Sequence, residues 1–285
     1  MSKIELKAII GHKVRRFRHN ELIQILTRKK MAQWLRFSHR NLVGIGILDS
    51  GTITVYSGDL FDAPTATGET LKFEDVDILT PCDPTKIVAL WNNNKALANK
   101  LGLSKPEHPL YLLKGPNTFL AAGQTIKQPQ SYDGRVVYEA ELGVVIGKTC
   151  SNVTEDAATD HIFGYTCFND VTALSLLNTD PTFPQWSRAK GFDTFGVFGP
   201  VIDTQVDPSG LTIRAELNGR ERQNYPVSGL FYSPREIVSH ISQNMTLIPG
   251  DIIACGTGPG ALPMKPGMTI DVIIDPIGRL SNPFE

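Results

Sequence analysis

The stretch Val137–Gly147, with the sequence VYEAELGVVIG, decides the fold and the chemistry of this chain. Its second half, Leu142–Ile146, is apolar and rich in β-branched residues, which predicts a buried strand. Residues two apart in a strand point to the same face, so Glu139 and Glu141 would project together. Two carboxylates on one buried face repel each other unless a cation joins them. Two solvated glutamates at an exposed strand end are the alternative, but the apolar run favours a buried metal site.

The overall composition is that of an ordinary globular protein. The 285 residues are 41% hydrophobic and 20% charged, and the formal net charge is −1. This balance predicts neither nucleic acid nor a membrane as a partner, and no apolar run is long enough to cross a bilayer. There is no signal-peptide pattern, and the four cysteines have no metal-ligand spacing. We therefore expect a cytoplasmic protein with reduced cysteines.

The sequence predicts three parts. Residues 1–30 carry nine lysines and arginines against two glutamates, which indicates a basic, solvated extension, with a docking arm as the alternative. Residues 31–84 contain short strands separated by turns and predict a small N-terminal domain. Residues 85–285 combine many short strands with few helices, so we expect a mixed, β-rich fold for the larger domain.

Asp170 is the predicted third ligand of the metal site. It follows the apolar strand pattern Gly164–Asn169, where a polar side chain would face a cleft. Three carboxylates form a hard oxygen site that suits Mg²⁺, with Mn²⁺ or Ca²⁺ as alternatives. An aspartate at a strand end also forms turns, so this residue alone would not predict a site.

Lys190 is the predicted proton-transfer residue. It lies in RAKGFDTF, where small and aromatic neighbours would desolvate the ammonium and lower its pKa. A surface lysine is the alternative interpretation. Further on, the turn Gly256–Gly260 follows a strand but lacks the lysine and the helix of a nucleotide-binding loop. We expect its amides and the Thr257 hydroxyl to bind a substrate carboxylate, with a plain turn as the alternative.

Together these segments resemble the fumarylacetoacetate hydrolase family. The resemblance extends from about residue 33 to the C-terminus, and the order and spacing of the motifs agree throughout. The matching segments are EAELGVVIG (139–147), GYTCFNDVTA (164–173), RAKGFDTF (188–195), Gly199-Pro200, Asn218-Gly219 with Gln223, LIPGDII (247–253), Gly256-Thr257 and Gly278-Arg279-Leu280 with Asn282.

The resemblance implies a β-sandwich-roll catalytic domain after a small N-terminal α/β domain, usually in a homodimer or a higher homo-oligomer. It implies that Glu139, Glu141 and Asp170 bind Mg²⁺ or Mn²⁺, which chelates a 2-oxo acid. It also implies that Lys190 and Glu139 are catalytic. The residues it assigns to substrate binding are Thr257, Lys114, Gly256 and Gln223.

This chain departs from the family pattern at two places. The family's hydrolases carry a histidine and a glutamate on a mobile lid after the first strand of the domain, and here Leu97 and Lys100 stand at those positions. An arginine that follows the Asp170 motif in the family is replaced by Leu174. Without a residue to activate water, hydrolysis would lose about 10²–10⁴-fold in rate. The departures therefore favour a lyase over a hydrolase.

The leading prediction is a metal-dependent enzyme that acts on a 2-oxo acid through a metal-bound enolate. The expected reaction is dehydration of a 2-keto-3-deoxy sugar acid, or decarboxylation or isomerisation of a 2-oxo dicarboxylate. The loss of the arginine at Leu174 mildly favours the sugar acid, whose far end carries no second carboxylate. A C–C bond hydrolase of the acylpyruvate or fumarylacetoacetate type is the second hypothesis. A family member that binds a metabolite or a partner without catalysis is the third.

Overall fold

The computed structural model describes residues 32–285, and the predicted basic extension lies outside the described residues. The small N-terminal domain is present, and its regular elements are five strands and one 3-10 turn, Phe73–Asp75. The short strands separated by turns that the sequence predicts are present, and the two strands on either side of the turn Asp49–Gly51 pair antiparallel. The five strands are β1 (Gln33–His39), β2 (Leu42–Asp49), β3 (Thr52–Ser57), β4 (Thr65–Lys72) and β5 (Asp77–Ile78).

The rest of the chain is β-rich with four short helices, as predicted. Its first elements are β6 (Ile87–Trp91), α1 (Lys95–Leu101), β7 (Leu110–Lys114), β8 (Phe119–Leu120), β9 (Val136–Val137), β10 (Ala140–Ile146), α2 (Glu155–Ala158), β11 (Ile162–Asp170) and β12 (Thr172–Ala173). The remaining elements are α3 (Trp186–Lys190), β13 (Gly196–Asp203), β14 (Thr212–Leu217), β15 (Arg220–Pro226), α4 (Pro234–Ser242), β16 (Ile252–Ala254), β17 (Met268–Ile274) and β18 (Gly278–Phe284).

Twelve strands form one large sheet that curls back on itself. Its main path runs β4-β3-β2-β1-β13-β11-β10-β16-β6-β7, while β8 pairs in parallel with β13. Only residues 115–118 separate β7 from β8, so the β7 end of the sheet must approach β13, much as a barrel closes. A second sheet has the order β15-β14-β17-β18, and β9 pairs with β12 in a small third one.

Strand β10 is buried on both faces, which explains its nearly continuous apolar sequence. Leu142, Val144 and Ile146 belong to the larger hydrophobic core, which also contains residues of the second sheet. Val145 belongs to a smaller core with Phe168 and other residues inside the curl of the large sheet. Because side chains alternate along a strand, Glu141 points to the same side as Val145. The fold therefore aims one of the predicted ligands into the curl.

Two of the helices begin at capping residues. In α1, the Asn94 side chain accepts the backbone N–H of Leu97 at the N-terminus. In α4, Ser233 and Glu236 have the sequence spacing of a capping box and form both of its hydrogen bonds, and the helix ends at Ser242. No helix among residues 32–285 is long and apolar enough to cross a membrane.

Candidate metal centre

Three carboxylates come together at one end of β10 and β11. Glu139 lies just before β10, Glu141 is its second residue, and Asp170 is the last residue of β11. The backbone N–H of Asp170 donates to the carbonyl of Glu139 at 2.9 Å, which holds the two strand ends side by side. The candidate ligand oxygens of the three residues all lie within 4.8 Å of one another. The strand is shorter than the sequence indicates, since Glu139 precedes it, yet the predicted cluster forms.

The three carboxylates are largely buried, and buried negative charge is stabilised by a bound cation. Glu141 and Asp170 are fully buried, while 14% of the Glu139 side chain is exposed. Glu141 Oε2 accepts the backbone N–H of Gly256 at 2.6 Å. Its other oxygen, Oε1, is buried and has no hydrogen-bond partner among the described residues. A buried carboxylate oxygen without a partner is costly, and a bound divalent ion would satisfy it.

The pKa values of the three carboxyls reflect this crowding. Burial raises the pKa of Glu141 well above its ordinary value, and the nearby charges of Asp170 and Glu139 raise it further. Burial also raises the pKa of Glu139, although Lys190 opposes this. Burial alone would raise the pKa of Asp170 too, but Lys114 and Lys190 outweigh it and lower the pKa. If all three carboxyls are ionised, the surrounding protein does not fully neutralise their negative charge.

Two buried lysines from different elements form ion pairs with two of these carboxylates. Lys190, the last residue of α3, donates to Asp170 Oδ2 at 2.5 Å, to Thr172 Oγ1 at 2.7 Å and to Glu139 Oε2 at 2.8 Å. Lys114, the last residue of β7, donates to Asp170 Oδ1 at 2.6 Å and to the carbonyl of Val171 at 3.3 Å. Two ammonium groups balance only two of the three carboxylates, which leaves room for further positive charge.

The sequence-based prediction of a lowered pKa for Lys190 is wrong. Burial does lower its pKa, but the attraction of Asp170 and Glu139 is stronger and raises it above the ordinary value. Lys114 behaves as predicted for Lys190: burial lowers its pKa to about 8, although Asp170 opposes this. The local sequence showed the apolar neighbours of Lys190 but not its two carboxylate partners, which come from other strands.

The residues assigned to substrate binding near Gly256 have partners inside the protein. The N–H of Gly256 binds Glu141, so this amide is not directed at a ligand. Gln223 accepts the N–H of Ala140 and donates to Thr257 Oγ1 and to the carbonyl of Gly258. Thr257 Oγ1 also donates to the carbonyl of Ala140 at 3.1 Å. We therefore treat Gly256 and Gln223 as residues that position Glu141 and Thr257, and substrate binding by Thr257 stays a prediction.

Two residues beside the cluster were not among the predicted site residues. Thr172, two positions after Asp170, accepts from Lys190 and donates to the carbonyl of Asp170 at 3.1 Å. Asn169 accepts the N–H of Glu139 at 3.0 Å through its side chain. Both are buried polar residues within two positions of Asp170 in an otherwise apolar segment, and this contrast could have identified them from the sequence.

The segment that replaces the family's lid is an ordered helix without a water-activating residue. In α1, Leu97 is half-buried and Lys100 is exposed. The contacts of the four histidines within residues 32–285 also lie elsewhere. His39 contacts the carbonyl of Asp75, His161 that of Lys148, His108 contacts Glu107 and His240, and His240 also packs on Tyr232.

Two of the cavities among the described residues differ in their lining. The larger, about 630 Å³, is lined by Lys95, Tyr165, Arg235 and neighbours and contains none of the three carboxylates. A smaller one, about 330 Å³, is apolar and lined by Trp91 and Trp186, whose ring centroids are 5.2 Å apart. Trp186 lies on the same helix as Lys190, one turn before it.

Comparison with known proteins agrees with this geometry. The family model described as fumarylacetoacetate (FAA) hydrolase C-terminal matches residues 86–285. This chain belongs to the fumarylacetoacetate hydrolase family. A second model, described as Rv2993c-like, N-terminal, matches residues 32–81. The recognition from sequence motifs and the predicted fold class are thereby confirmed.

Relatives of this family member include named enzymes. An uncharacterized protein of Archaeoglobus fulgidus is 41% identical over 222 residues, which are 75% of this chain and 87% of the relative. Oxaloacetate tautomerase YisK of Bacillus subtilis is 36% identical over 212 residues, 70% of this chain and 69% of that enzyme. The crystal structure of 2-hydroxyhepta-2,4-diene-1,7-dioate isomerase from Mycobacterium marinum has a TM-score of 0.81 at 33% identity, covering 89% of this chain and 98% of that one.

Proposed function

We propose that this protein is a divalent-metal-dependent enzyme that acts on a 2-oxo acid through its enolate, either as an isomerase or as a lyase. The observation that carries the proposal is the buried cluster of Glu139, Glu141 and Asp170, with an oxygen of Glu141 that lacks a partner. The named relatives support it, because one is a tautomerase and the other an isomerase. Both act on dicarboxylates by their names, which favours a 2-oxo dicarboxylate over the sugar acid.

Each residue of the site has a proposed task. Glu139, Glu141 and Asp170 would hold the ion, for which Mg²⁺ is the first candidate and Mn²⁺ or Ca²⁺ are alternatives. A divalent ion held there supplies positive charge next to the 2-oxo group and stabilises the negative charge that develops on its oxygen. Lys190 stays protonated because two carboxylates surround it, so it stabilises charge and does not act as a base.

Glu139 is the proposed proton carrier. It is the one carboxylate of the three whose side chain is partly exposed, so a bound substrate can reach it. A carboxylate within reach of the carbon beside the keto group can accept a proton from it and return the proton later. We propose that it moves the proton at the carbon next to the keto group, while Lys114 and Lys190 hold Asp170 in place.

Isomerisation or C–C and C–O bond cleavage without attacking water suits this site better than hydrolysis. Hydrolysis needs a group that activates water, and the family's two residues for this task are replaced by Leu97 and Lys100. None of the four histidines within residues 32–285 has a contact with the carboxylate cluster. A C–C bond hydrolase remains the alternative, which the products would reveal.

The test is a panel of 2-oxo acids with purified protein and Mg²⁺ or Mn²⁺. The panel contains oxaloacetate, a 2-hydroxydiene dicarboxylate, acylpyruvates and 2-keto-3-deoxy sugar acids, and NMR in deuterated water identifies the products. We expect metal-dependent deuterium exchange beside the keto group, faster keto–enol conversion, and no pair of acids from acylpyruvates. Release of two acids would establish the hydrolase instead. Failure to bind Mn²⁺ in calorimetry would contradict both.

The proposal also includes the wider organisation of the chain. We propose that residues 85–285 form the catalytic domain and that residues 31–84 form a small N-terminal domain whose strands continue its large sheet. We propose a homodimer, which sedimentation analysis of the purified chain would test. The basic extension over residues 1–30 has no proposed function.

A further inference from the structure

Asn93 is a buried polar residue that joins the segment before α1 to the strand end beside Glu141. Its side chain is 2% exposed and makes three hydrogen bonds. The amide Nδ2 donates to the carbonyl of Cys255 at 2.8 Å and to that of Tyr232 at 3.2 Å, and Oδ1 accepts the N–H of Tyr232 at 2.9 Å. Every hydrogen-bonding atom of the side chain is therefore directed at a fixed backbone group.

The carbonyl of Cys255 and the N–H of Gly256 belong to one peptide unit. Asn93 binds the oxygen of this unit at 2.8 Å, and Glu141 Oε2 accepts its N–H at 2.6 Å. A single rigid plane thus separates the Asn93 amide from the Glu141 carboxylate. Because hydrogen bonds in series polarise one another, the bond from Asn93 strengthens the N–H that Gly256 offers to Glu141.

The backbone at this point is built for close approach. Gly256 has φ +92°, a conformation that favours glycine. A Cβ at Gly256 would lie 3.0 Å from the Cβ of Asn93. A side chain at position 256 would therefore press against Asn93, and glycine lets the peptide unit lie within hydrogen-bond distance of the Asn93 amide.

We propose that Asn93 is a positioning residue of the metal centre. Through the Cys255–Gly256 peptide it fixes Oε2 of Glu141, so that Oε1, which has no partner among the described residues, faces the ion. Partners that orient a metal ligand typically change metal affinity by about 10–100-fold when they are removed. The inference rests on the proposed function to the extent that Glu141 is a metal ligand.

The test replaces one atom of the side chain. Asn93→Asp keeps the acceptor for Tyr232 but removes the N–H that binds Cys255. The matched control is Asn94→Asp, which makes the same change at the next buried residue and keeps the side-chain oxygen that caps α1. We expect Asn93→Asp to weaken Mn²⁺ binding in calorimetry by about 10–100-fold. We expect Asn94→Asp to change it less than about threefold, a shift of under 1 kcal/mol.

A second measurement separates positioning from general damage to the fold. The amide proton of Gly256 should move upfield in the NMR spectrum of metal-free Asn93→Asp, because its bond to Glu141 weakens. It should stay in place in Asn94→Asp. Equal Mn²⁺ affinity in wild type and Asn93→Asp, or an unmoved Gly256 proton, would overturn the inference. If Asn93→Asp does not fold, Asn93→Ser, which keeps a shorter polar group, takes its place.

The proposed function and this inference fail in different ways. If the wild-type protein binds no Mn²⁺, the proposed metal centre fails, and the Gly256 proton alone still tests whether Asn93 controls the contact to Glu141. If the wild type binds Mn²⁺ and Asn93→Asp binds it equally well, the metal centre stands and the positioning role of Asn93 is overturned.

Discussion

The carboxylate cluster and the segment Asn92–Lys100 lie in one domain but follow the family pattern to different degrees. The cluster keeps all three acidic residues and both lysines, with every donor within hydrogen-bond distance. In the segment, Asn93 is bonded to the strand end beside Glu141. By the sequence resemblance, Leu97 and Lys100 stand where the family's hydrolases carry histidine and glutamate.

From this difference we propose that the cluster holds the ion and that the segment selects the reaction. The cluster is built by strands that pair along their length, so its geometry depends on the sheet. The segment is a short helix at the end of β6, where two side chains can change without disturbing the sheet. Each of the following four predictions tests one side of this comparison.

Glu141→Gln should have the largest effect. The variant keeps the shape of the side chain but removes the charge that we assign to the ion, so metal-dependent turnover should fall by more than about 10³-fold, beyond the loss for an outer partner. Mn²⁺ calorimetry and the 2-oxo acid assay measure this. Glu107→Gln, at an exposed carboxylate outside the cluster, is the control and should match wild type. Normal Mn²⁺ binding by Glu141→Gln would show that the cluster does not hold the ion.

Lys190→Met should destabilise the metal-free protein. Removing one partner of a buried ion pair typically costs about 3–5 kcal/mol in the free energy of unfolding, because the remaining charge stays buried. Saturating Mn²⁺ should recover part of this loss, since it replaces the missing positive charge. Urea unfolding with and without Mn²⁺ measures both effects.

The control for Lys190→Met is a variant in the segment Asn92–Lys100. Lys95→Met removes an exposed lysine of α1 whose amine donates to the carbonyl of Ser228 at 3.2 Å. Its effect should stay within about 0.5 kcal/mol, as for most surface changes. Equal destabilisation by the two variants would show that Lys190 has no special role in the balance of charge.

Introducing the histidine and glutamate of the family's hydrolases tests whether the segment Asn92–Lys100 selects the reaction. The double variant Leu97→His with Lys100→Glu should gain metal-dependent hydrolysis of an acylpyruvate, by about 10²-fold, the lower range for acid–base catalysis. Product NMR detects the two acids. The single variant Leu97→His is the control and should gain less. A double variant that folds, binds Mn²⁺ and yields no hydrolysis would place the choice of reaction elsewhere.

The smallest predicted effect is the pH dependence of metal binding. Burial and neighbouring carboxylates raise the pKa of Glu139 and Glu141, so these carboxyls release their protons at a higher pH than free glutamates do, and metal binding competes with protonation. Raising the pH removes these protons in advance, so Mn²⁺ affinity should rise by up to about tenfold per pH unit below the pKa. Calorimetry in two buffers of different ionisation enthalpy counts the released protons. Constant affinity without proton release would mean that the carboxylates are already ionised.

The sequence predicted the parts of the site that lie next to recognisable strands. The apolar run after Glu141 and the one before Asp170 indicated buried strands, and carboxylates at their ends indicated a cation. The capping-box spacing of Ser233 and Glu236 likewise indicated where α4 begins, since a cap acts within one turn. These predictions succeeded because each depends on interactions between residues that are close in the chain.

Contacts between distant residues were not predictable in the same way. The pKa of Lys190 was assigned the wrong direction because its carboxylate partners lie 51 and 20 residues away. Gly256 was expected to bind a substrate, whereas its N–H binds Glu141, 115 residues earlier in the chain. The role of Asn93 depends on a peptide unit 162 residues along the chain, so no local pattern could indicate it.

By itself, the sequence determined the family, the β-rich fold class and the acidic residues that meet in the cluster, because periodicity and motif spacing are local properties. Only the tertiary structure decided how charge is shared among them. The curl of the large sheet brings β7 beside the end of β11, so that Lys114 meets Asp170, and α3 adds Lys190. The electrostatic balance of a buried site depends on distances between elements, and these exist only once the sheet has formed.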